Sequence, residues 1–417
     1  LNKVLITGMG AISPLGADLA TSFQNALSGH CAVVPATDDI AKWLPNLLMA
    51  PAASEPAGLL ESKYAALDRA SQFAMVAAHE AMQAAGIRPA PADSRRFGVF
   101  VGIGFGGAHT VDALYSRFQA AVQTEGQRNP TVVHPLSVPR MMANAAAAAV
   151  SMHYGLHGAS NTYSVACASS AVAIGEAYRA IRHGYLDAAI VVGCEAMLTS
   201  GSMVAWNALR VMAKPYAGDV ARSCRPFSKD RSGFVLGEGA AAIVLESETR
   251  AMGRAQPAWA EVGGYGCSSD AAHLTAPSSA EQVNAMQQAL KEAGLQPADI
   301  HYLNAHGTAT EAGDVIETQS IHSVFGESAN KLPVSSTKSM HGHLIGASGI
   351  LEFALSIEAM RQNALPPTAT LEQPDPRCDL DYIPLQARRN CQVDAIMSNS
   401  FAFGGSNVSL IARRHCP

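Results

Sequence analysis

The chain has 417 residues, 48% hydrophobic and 15% charged, with a net charge of −5. That length exceeds what one core usually serves, so two domains or a fused pair around a large core is expected, and the composition excludes a disordered or fibrous chain. The small charge and the lack of a Lys/Arg run leave no footprint for nucleic acid. Eight cysteines, at 31, 167, 194, 224, 267, 378, 391 and 416, form no CxxC pair and read as reduced thiols of a cytoplasmic protein.

The opening LNKVLITGMGAISPLG is apolar, but its run is short and breaks at Gly8, Gly10 and Pro14, which predicts a buried strand over 4–7 and not a signal peptide. No stretch approaches the roughly eighteen apolar residues of a membrane span. Further along, a helix is expected over 65–85, a strand over 97–104, a helix over 137–154, a helix over 168–183, and strands over 187–193 and 240–246. The second part reads as helix 280–293, strand 300–307, helices 313–323 and 347–362, and a last strand over 395–400.

AMQAAGIRPA at 81–90 is echoed by ALKEAGLQPA at 289–298. In each copy an Ala-rich helix reaches a glycine suited to a left-handed cap, Gly86 or Gly294, and a proline three residues on, Pro89 or Pro297, prevents continuation. A strand follows both. The repeat predicts two helix-then-strand halves, hence α/β architecture with parallel strands and helical crossovers. No Pro- or Ser-rich linker separates them, so halves of 1–255 and 256–417 are expected to pack as one body.

NTYSVACASSAVAIGEAYRAIRHG, 161–184, changes from a β-branched run to a helical pattern at Cys167. A thiol at a helix N-terminus is favoured as thiolate, the form that attacks a thioester, and the small neighbours leave room for substrate. The other reading is a cysteine that packs as a small hydrophobe. NAHGTATEAGDVIE places His306 at a strand end, and KSMHGHLIGASG places His343 at the mouth of a helix; element termini are where α/β proteins gather their sites. Two neutral imidazoles can each donate an N–H to a developing thioester enolate, with Lys338 and Glu317 supporting them from behind. A metal site through His341 and His343 is the competing reading, although no HExxH or Cys/His framework accompanies the pair. In SNSFAFGGSN, Gly404 and Gly405 permit backbone amides to approach an oxyanion, and Phe401 and Phe403 can close over an acyl chain.

Together these segments, ITGMGAISPLG, VACASS, CRPFSKDRSGFVLGEGA, DAAHLTAP, NAHGTAT, STKSMHGHLIGASG and SNSFAFGGSN, resemble in sequence and order the β-ketoacyl-[acyl carrier protein] synthase family, most of all its elongating synthase II branch. The resemblance spans nearly the whole chain. It implies a thiolase-like αβαβα five-layer sandwich of two duplicated halves, a homodimer (or a heterodimer with a related ketosynthase), and no cofactor, the substrates being carried on the phosphopantetheine of acyl carrier protein in its acyl and malonyl forms. It implies decarboxylative Claisen condensation, with Cys167 as the acylated nucleophile, His306 and His343 as the decarboxylation pair, Lys338 and Glu317 as their supports, and Phe403 as the gating aromatic whose amide joins that of Cys167 in the oxyanion hole. Thr308 and Thr310 correspond to contacts of the pantetheine arm. Thr275, Phe401, Met141 and Met142 are expected at the substrate tunnel, and no metal is expected.

An intact cysteine argues against a chain-length-factor subunit, and two histidines in place of a His-Asn pair argue against the initiating synthase III. His341, Ala402, Ala168, Ser228 and Ser232 depart from the usual pattern, which leaves acyl preference open and admits a specialised lipid, polyketide or aryl-polyene-type pathway. Two other functions remain in view: a biosynthetic thiolase, with Cys391 as its second thiol, and a non-catalytic partner of another ketosynthase.

Overall fold

The computed structural model of the chain describes residues 1–125 and 133–415. Its main sheet contains β1 (Val4–Ile12), β2 (Phe97–Gly102), β3 (Ser160–Tyr163), β4 (Ala188–Glu195), β5 (Gly239–Ser247), β6 (Ala260–Ser269), β7 (Tyr302–Asn304), β8 (Val334–Ser335), β9 (Ala395–Phe401) and β10 (Ser406–Arg413). In space they run β8-β7-β9-β10-β6-β1-β5-β4-β2-β3. From either edge inwards, each set of five places its third strand first, then its second, fourth, fifth and first. The two sets meet where β1 pairs with β6.

Helices α1 (Arg69–Ala84) and α2 (Ala145–Tyr154) cover the outer face of the first set, α4 (Ser279–Ala293) and α5 (Glu311–Phe325) that of the second, and α3 (Ser169–Arg182) and α6 (Ser348–Gln362) lie between them. Three separate cores follow from this stacking. One joins α1 and α2 to β2, β4 and β5; one joins α3 and α6 to both sets; one joins α4 and α5 to β7 and β9. The result is a five-layer αβαβα sandwich of the thiolase type. Because α6 is enclosed by both sets, every residue from Ser348 to Met360 is buried. A helix apolar on one stripe could not sit there.

Helices α1 and α4 reach their strands through the same sequence device. A Cβ on Gly8 or Gly10 of β1 would come within 2.2 Å or 2.5 Å of the carbonyls of Ala81 and Ala77, and one on Gly264 or Gly266 of β6 within 2.2 Å or 1.9 Å of those of Ala289 and Ala285. Glycine on the strand and alanine on the helix therefore set the spacing of both outer layers. Asp68 starts α1 by accepting the N–H of Ala70. Gly86 (φ 65°) and Gly294 (φ 67°) end α1 and α4 in the left-handed region, as the echo requires.

Four expectations change. The sheet is mixed: β2 is parallel to β3 and β4, and β7 to β8 and β9, while β1–β5, β4–β5, β9–β10 and β6–β10 are antiparallel. The tight Ala402–Gly405 connection admits only a hairpin between β9 and β10. The helix expected over 137–154 breaks at Met142 (ψ 140°), where the chain turns aside and Gly107 donates to the carbonyl of Met141. The strand expected over 300–307 stops at Asn304, because the next residues form the loop that carries His306. The opening strand extends to Ile12. Among the described residues no helix is long and apolar enough to cross a membrane.

Candidate active site

Beyond β3 the chain makes a sharp elbow. Val165 donates its N–H to Ser169 Oγ at 2.9 Å, Ala166 takes φ 49°, and Cys167 sits in a single 3-10 turn before α3 begins. This places a buried thiol, 3% exposed, at the entrance of a central helix.

His343 arrives from the other half. Gly342 (φ 70°) ends a short helical turn, Lys338–His341, and β-like bonds to the 235–237 segment hold His343 on both sides: His343 N–H to Val235 O at 2.7 Å, and Gly237 N–H to His343 O at 2.9 Å. Ile345 donates its backbone N–H to His343 Nδ1 at 3.3 Å, and Ser348 Oγ lies 2.8 Å from the same nitrogen. A backbone N–H can only donate, so Nδ1 is an acceptor and the proton resides on Nε2. Nε2–H then points at Cys167 Sγ, 3.0 Å away.

His306 follows β7. Glu317 of α5 receives the N–H groups of His306 and Gly307, each at 2.8 Å, and Asn399 supports the carboxylate at 3.4 Å. The two imidazoles meet edge to face with centroids 5.5 Å apart, and Phe401 lies 6.2 Å from the His306 ring. Sγ of Cys167 and one nitrogen from each histidine all lie within 4.8 Å of one another. The sulfur from the first half and the imidazoles from the second thus converge on one point.

Burial dominates the electrostatics. It holds both imidazoles well below their usual range, and the charge of Lys338 adds to that effect, so both rings are neutral. Lys338 and Glu352 form a fully buried ion pair at 2.5 Å. Burial pushes Glu352 up to about 7 against the pull of Lys338, and also raises Glu317. The expectation that a helix N-terminus would make Cys167 a thiolate needs correction. Burial pushes the thiol up to about 12, which outweighs the lowering by the amides of Phe403 and Cys167 and by Lys338. The free site therefore holds a thiol whose sulfur is surrounded by hydrogen-bond donors. That donor set, with the proton of His343 aimed at the sulfur, differs from a ligand set with free lone pairs. His341 is no part of it: its Nε2 bonds Thr337 Oγ1 at 3.0 Å, so the His341–His343 metal pair does not form.

A cavity of about 290 Å³ opens over the sulfur, with Thr275, Thr308, Thr310, Phe401 and Phe403 on its walls. Thr308 and Thr310 are joined by their hydroxyls at 3.1 Å. A second, apolar cavity of about 390 Å³ lies beside Ala166 and is walled by Phe105, Met197, Trp206, Leu209 and Ile345. Leu209 is common to both, and the Phe403 ring stacks on Trp206 at 6.4 Å. Met141 and Met142 line neither cavity. Met142 is 52% exposed, because the break in the 137–154 helix turns it outwards. Of the unusual positions, Ala402 lines the first cavity, Ala168 is core, Ser228 bonds Asp230, and Ser232 receives the N–H of Lys214. Cys391 lies on a loop away from Cys167, between Asn363 and Arg389.

Sequence reasoning missed Ser348, Glu352 and Asn399. Ser348 was visible as the serine of GASG; the others bear no local spacing to the residues they serve.

This site on this sandwich defines a condensing-type thiol enzyme, and the comparisons narrow the class. The N-terminal domain model of beta-ketoacyl synthases matches residues 1–251, and the C-terminal domain model matches residues 259–372. The 3-oxoacyl-[acyl-carrier-protein] synthase 2 of Staphylococcus aureus (strain COL) is 37% identical over 420 residues, covering 99% of this chain and 98% of that protein. A type II polyketide ketosynthase, solved bound to a hexaketide and in complex with its acyl-carrier protein, superimposes with TM-score 0.92 at 28% identity over all of both chains. A ketosynthase and chain length factor complex from Xenorhabdus doucetiae gives TM-score 0.82 at 27% identity, over 99% of this chain and 98% of that one. The chain belongs to the beta-ketoacyl synthase family.

Proposed function

We propose that the chain joins a Cys167-bound acyl group to a malonyl unit, both delivered on the phosphopantetheine of acyl carrier protein, with no further cofactor. The observation that carries this reading is the convergence of Cys167, His306 and His343 within 4.8 Å. In the first step the thiol sulfur attacks the acyl thioester. The departing pantetheine sulfur takes up the proton that Cys167 loses, and the oxyanion rests on the amides of Cys167 and Phe403.

In the second step the malonyl thioester loses carbon dioxide, and its enolate oxygen receives hydrogen bonds from the N–H groups of His306 and His343. Burial and Lys338 keep both rings neutral, so they donate without holding a second proton. The enolate carbon attacks the acyl carbon, the β-ketoacyl thioester leaves on its carrier, and the Cys167 sulfur regains a proton from solvent. Glu317 fixes the His306 loop through its two backbone bonds. Thr275, Thr308 and Thr310 are suited to the polar pantetheine arm, and the cavity beside Ala166 to the acyl chain. Met141 and Met142 are withdrawn from that tunnel.

We also propose that the halves divide at 255/256, on the strength of the repeated strand order, and that the protein is a cytoplasmic homodimer. Strand β3 leaves one edge of the sheet open, and Tyr115, Phe118 and Val122 expose an apolar stripe at i, i+3, i+7. Pure protein supplied with acyl and malonyl carrier proteins should yield the β-ketoacyl product and carbon dioxide. Activity only after a second ketosynthase is added would replace this with the partner-subunit reading, and activity with acetyl-coenzyme A alone would favour a thiolase.

A further inference from the structure

Glu195 ends β4 fully buried, with no cation against it among the described residues. Its carboxylate is held by backbone alone: Oε2 accepts the N–H groups of Gly104 at 2.7 Å and Gly346 at 3.0 Å, and Oε1 that of Phe105 at 3.3 Å. These three donors come from two otherwise separate segments. Gly104 and Phe105 wall the apolar cavity, and Gly346 belongs to the turn that follows His343, whose Ile345 also walls that cavity and donates to His343 Nδ1. The fit is close, since a Cβ on Gly104 would lie 2.6 Å from Oε2 and one on Gly346 2.7 Å from it and 2.4 Å from the Gly104 nitrogen. The 103–104 stretch is also bound to the strand leading to Cys167, through Ile103 N–H to Tyr163 O at 3.1 Å and Ser164 Oγ to Gly104 O at 2.9 Å.

From this arrangement we infer that Glu195 is a positioning residue that fixes the Phe105 wall of the acyl cavity against the His343 turn and thereby sets the length of acyl chain the enzyme accepts. The inference rests on the condensing reading above. A carboxylate suits the role because one oxygen can accept two N–H groups while the other accepts a third, whereas a neutral amide presents only one acceptor oxygen. Burying an unpaired carboxyl is unfavourable and pushes Glu195 up to about 7 despite its three donors. A group retained at such a cost has a positional task that an apolar residue could not perform.

The test is Glu195→Gln. With its oxygen on the Gly104 and Gly346 amides, its NH2 faces the Phe105 N–H, two donors meet, and the Phe105 wall is released while the His343 turn stays held. Transfer of octanoyl, dodecanoyl and hexadecanoyl groups from carrier protein to Cys167 is followed by intact-protein mass spectrometry, with malonyl decarboxylation measured alongside. The expected result is a change of about tenfold or more in the ratio of kcat/KM between the shortest and longest chains, with decarboxylation within about threefold of wild type. A merely structural role would lower all chains in proportion. Gly104→Ala pushes the same loop off an intact carboxylate and should shift the ratio as well; it decides the matter if Glu195→Gln does not fold. Proportional loss, or an unchanged ratio in the variants that fold, overturns the inference. Absence of any acyl adduct on wild-type Cys167 would instead overturn the condensing reading itself.

Discussion

The elbow at Cys167 and the elbow at Gly346 are built alike. Each has a residue of positive φ, Ala166 (49°) or Ile345 (44°), then one 3-10 turn, then a serine opening a central helix. That serine, Ser169 or Ser348, accepts the N–H of the residue four before it, Val165 or Leu344, at 2.9 Å in both. The copies differ where chemistry sits. Cys167 of one is matched by Gly346 of the other, and His343 is matched by Ser164, which only binds the carbonyl of Gly104. Lys338 and Glu352, the buried ion pair behind the second elbow, face Ala159 and Ala173 at the matching places of the first. A duplicated scaffold thus brings a thiol from one copy and an imidazole from the other to one point, and only the imidazole copy has a buried ion pair at these matching places.

That asymmetry can be broken in order of expected effect. Lys338→Met strands a buried carboxylate and should cost about 3–5 kcal/mol of stability. Thermal unfolding should show the loss, and adding Glu352→Leu should restore most of it; a pair that adds without recovery would mean the ion pair is not the cause. His343→Ala removes one enolate donor and should slow malonyl decarboxylation by about a hundredfold or more, measured as carbon dioxide release. Ser164→Ala, at the matching place, should leave that rate nearly unchanged.

A pH effect separates the copies more finely. Burial lowers His341 to about 3 in the fold, while the unfolded chain protonates it near 6.5, so as pH falls below 6.5 the unfolded state takes up a proton that the fold refuses. Stability from this group is full above that value and is lost towards pH 3. His341→Gln should therefore reduce the loss between pH 7 and pH 5 by about 2 kcal/mol, read from unfolding curves at the two pH values. The smallest effects are at the serines. Ser169→Ala and Ser348→Ala should each cost about 1 kcal/mol, yet only Ser348→Ala should also slow decarboxylation, because Ser348 alone touches an imidazole.

The duplication was legible because a glycine cap followed by a proline is a local signal: Gly86 with Pro89 and Gly294 with Pro297 report on their own neighbourhoods. Cys167, His306 and His343 could be singled out because each stands at an element end with small residues around it. Glu352 and Glu195 were not legible, since each acts on residues distant in sequence and brought near only by the sandwich. The thiol's protonation was misjudged for the same reason. A helix terminus is visible in sequence, but the enclosure that outweighs it is not. Met141 and Met142 line neither cavity because the helix expected to carry them breaks at Met142, a turn set by packing against Gly106 and Gly107.

The most direct test of the account is a single-turnover chase watched by intact-protein mass spectrometry. Acyl carrier protein should leave one acyl group on the wild type and none on Cys167→Ala, and malonyl carrier protein should then discharge it as the β-ketoacyl product. An adduct that persists in Cys167→Ala, or one that malonyl carrier protein fails to discharge, would contradict the claim that this thiol and the two imidazoles form one condensing site.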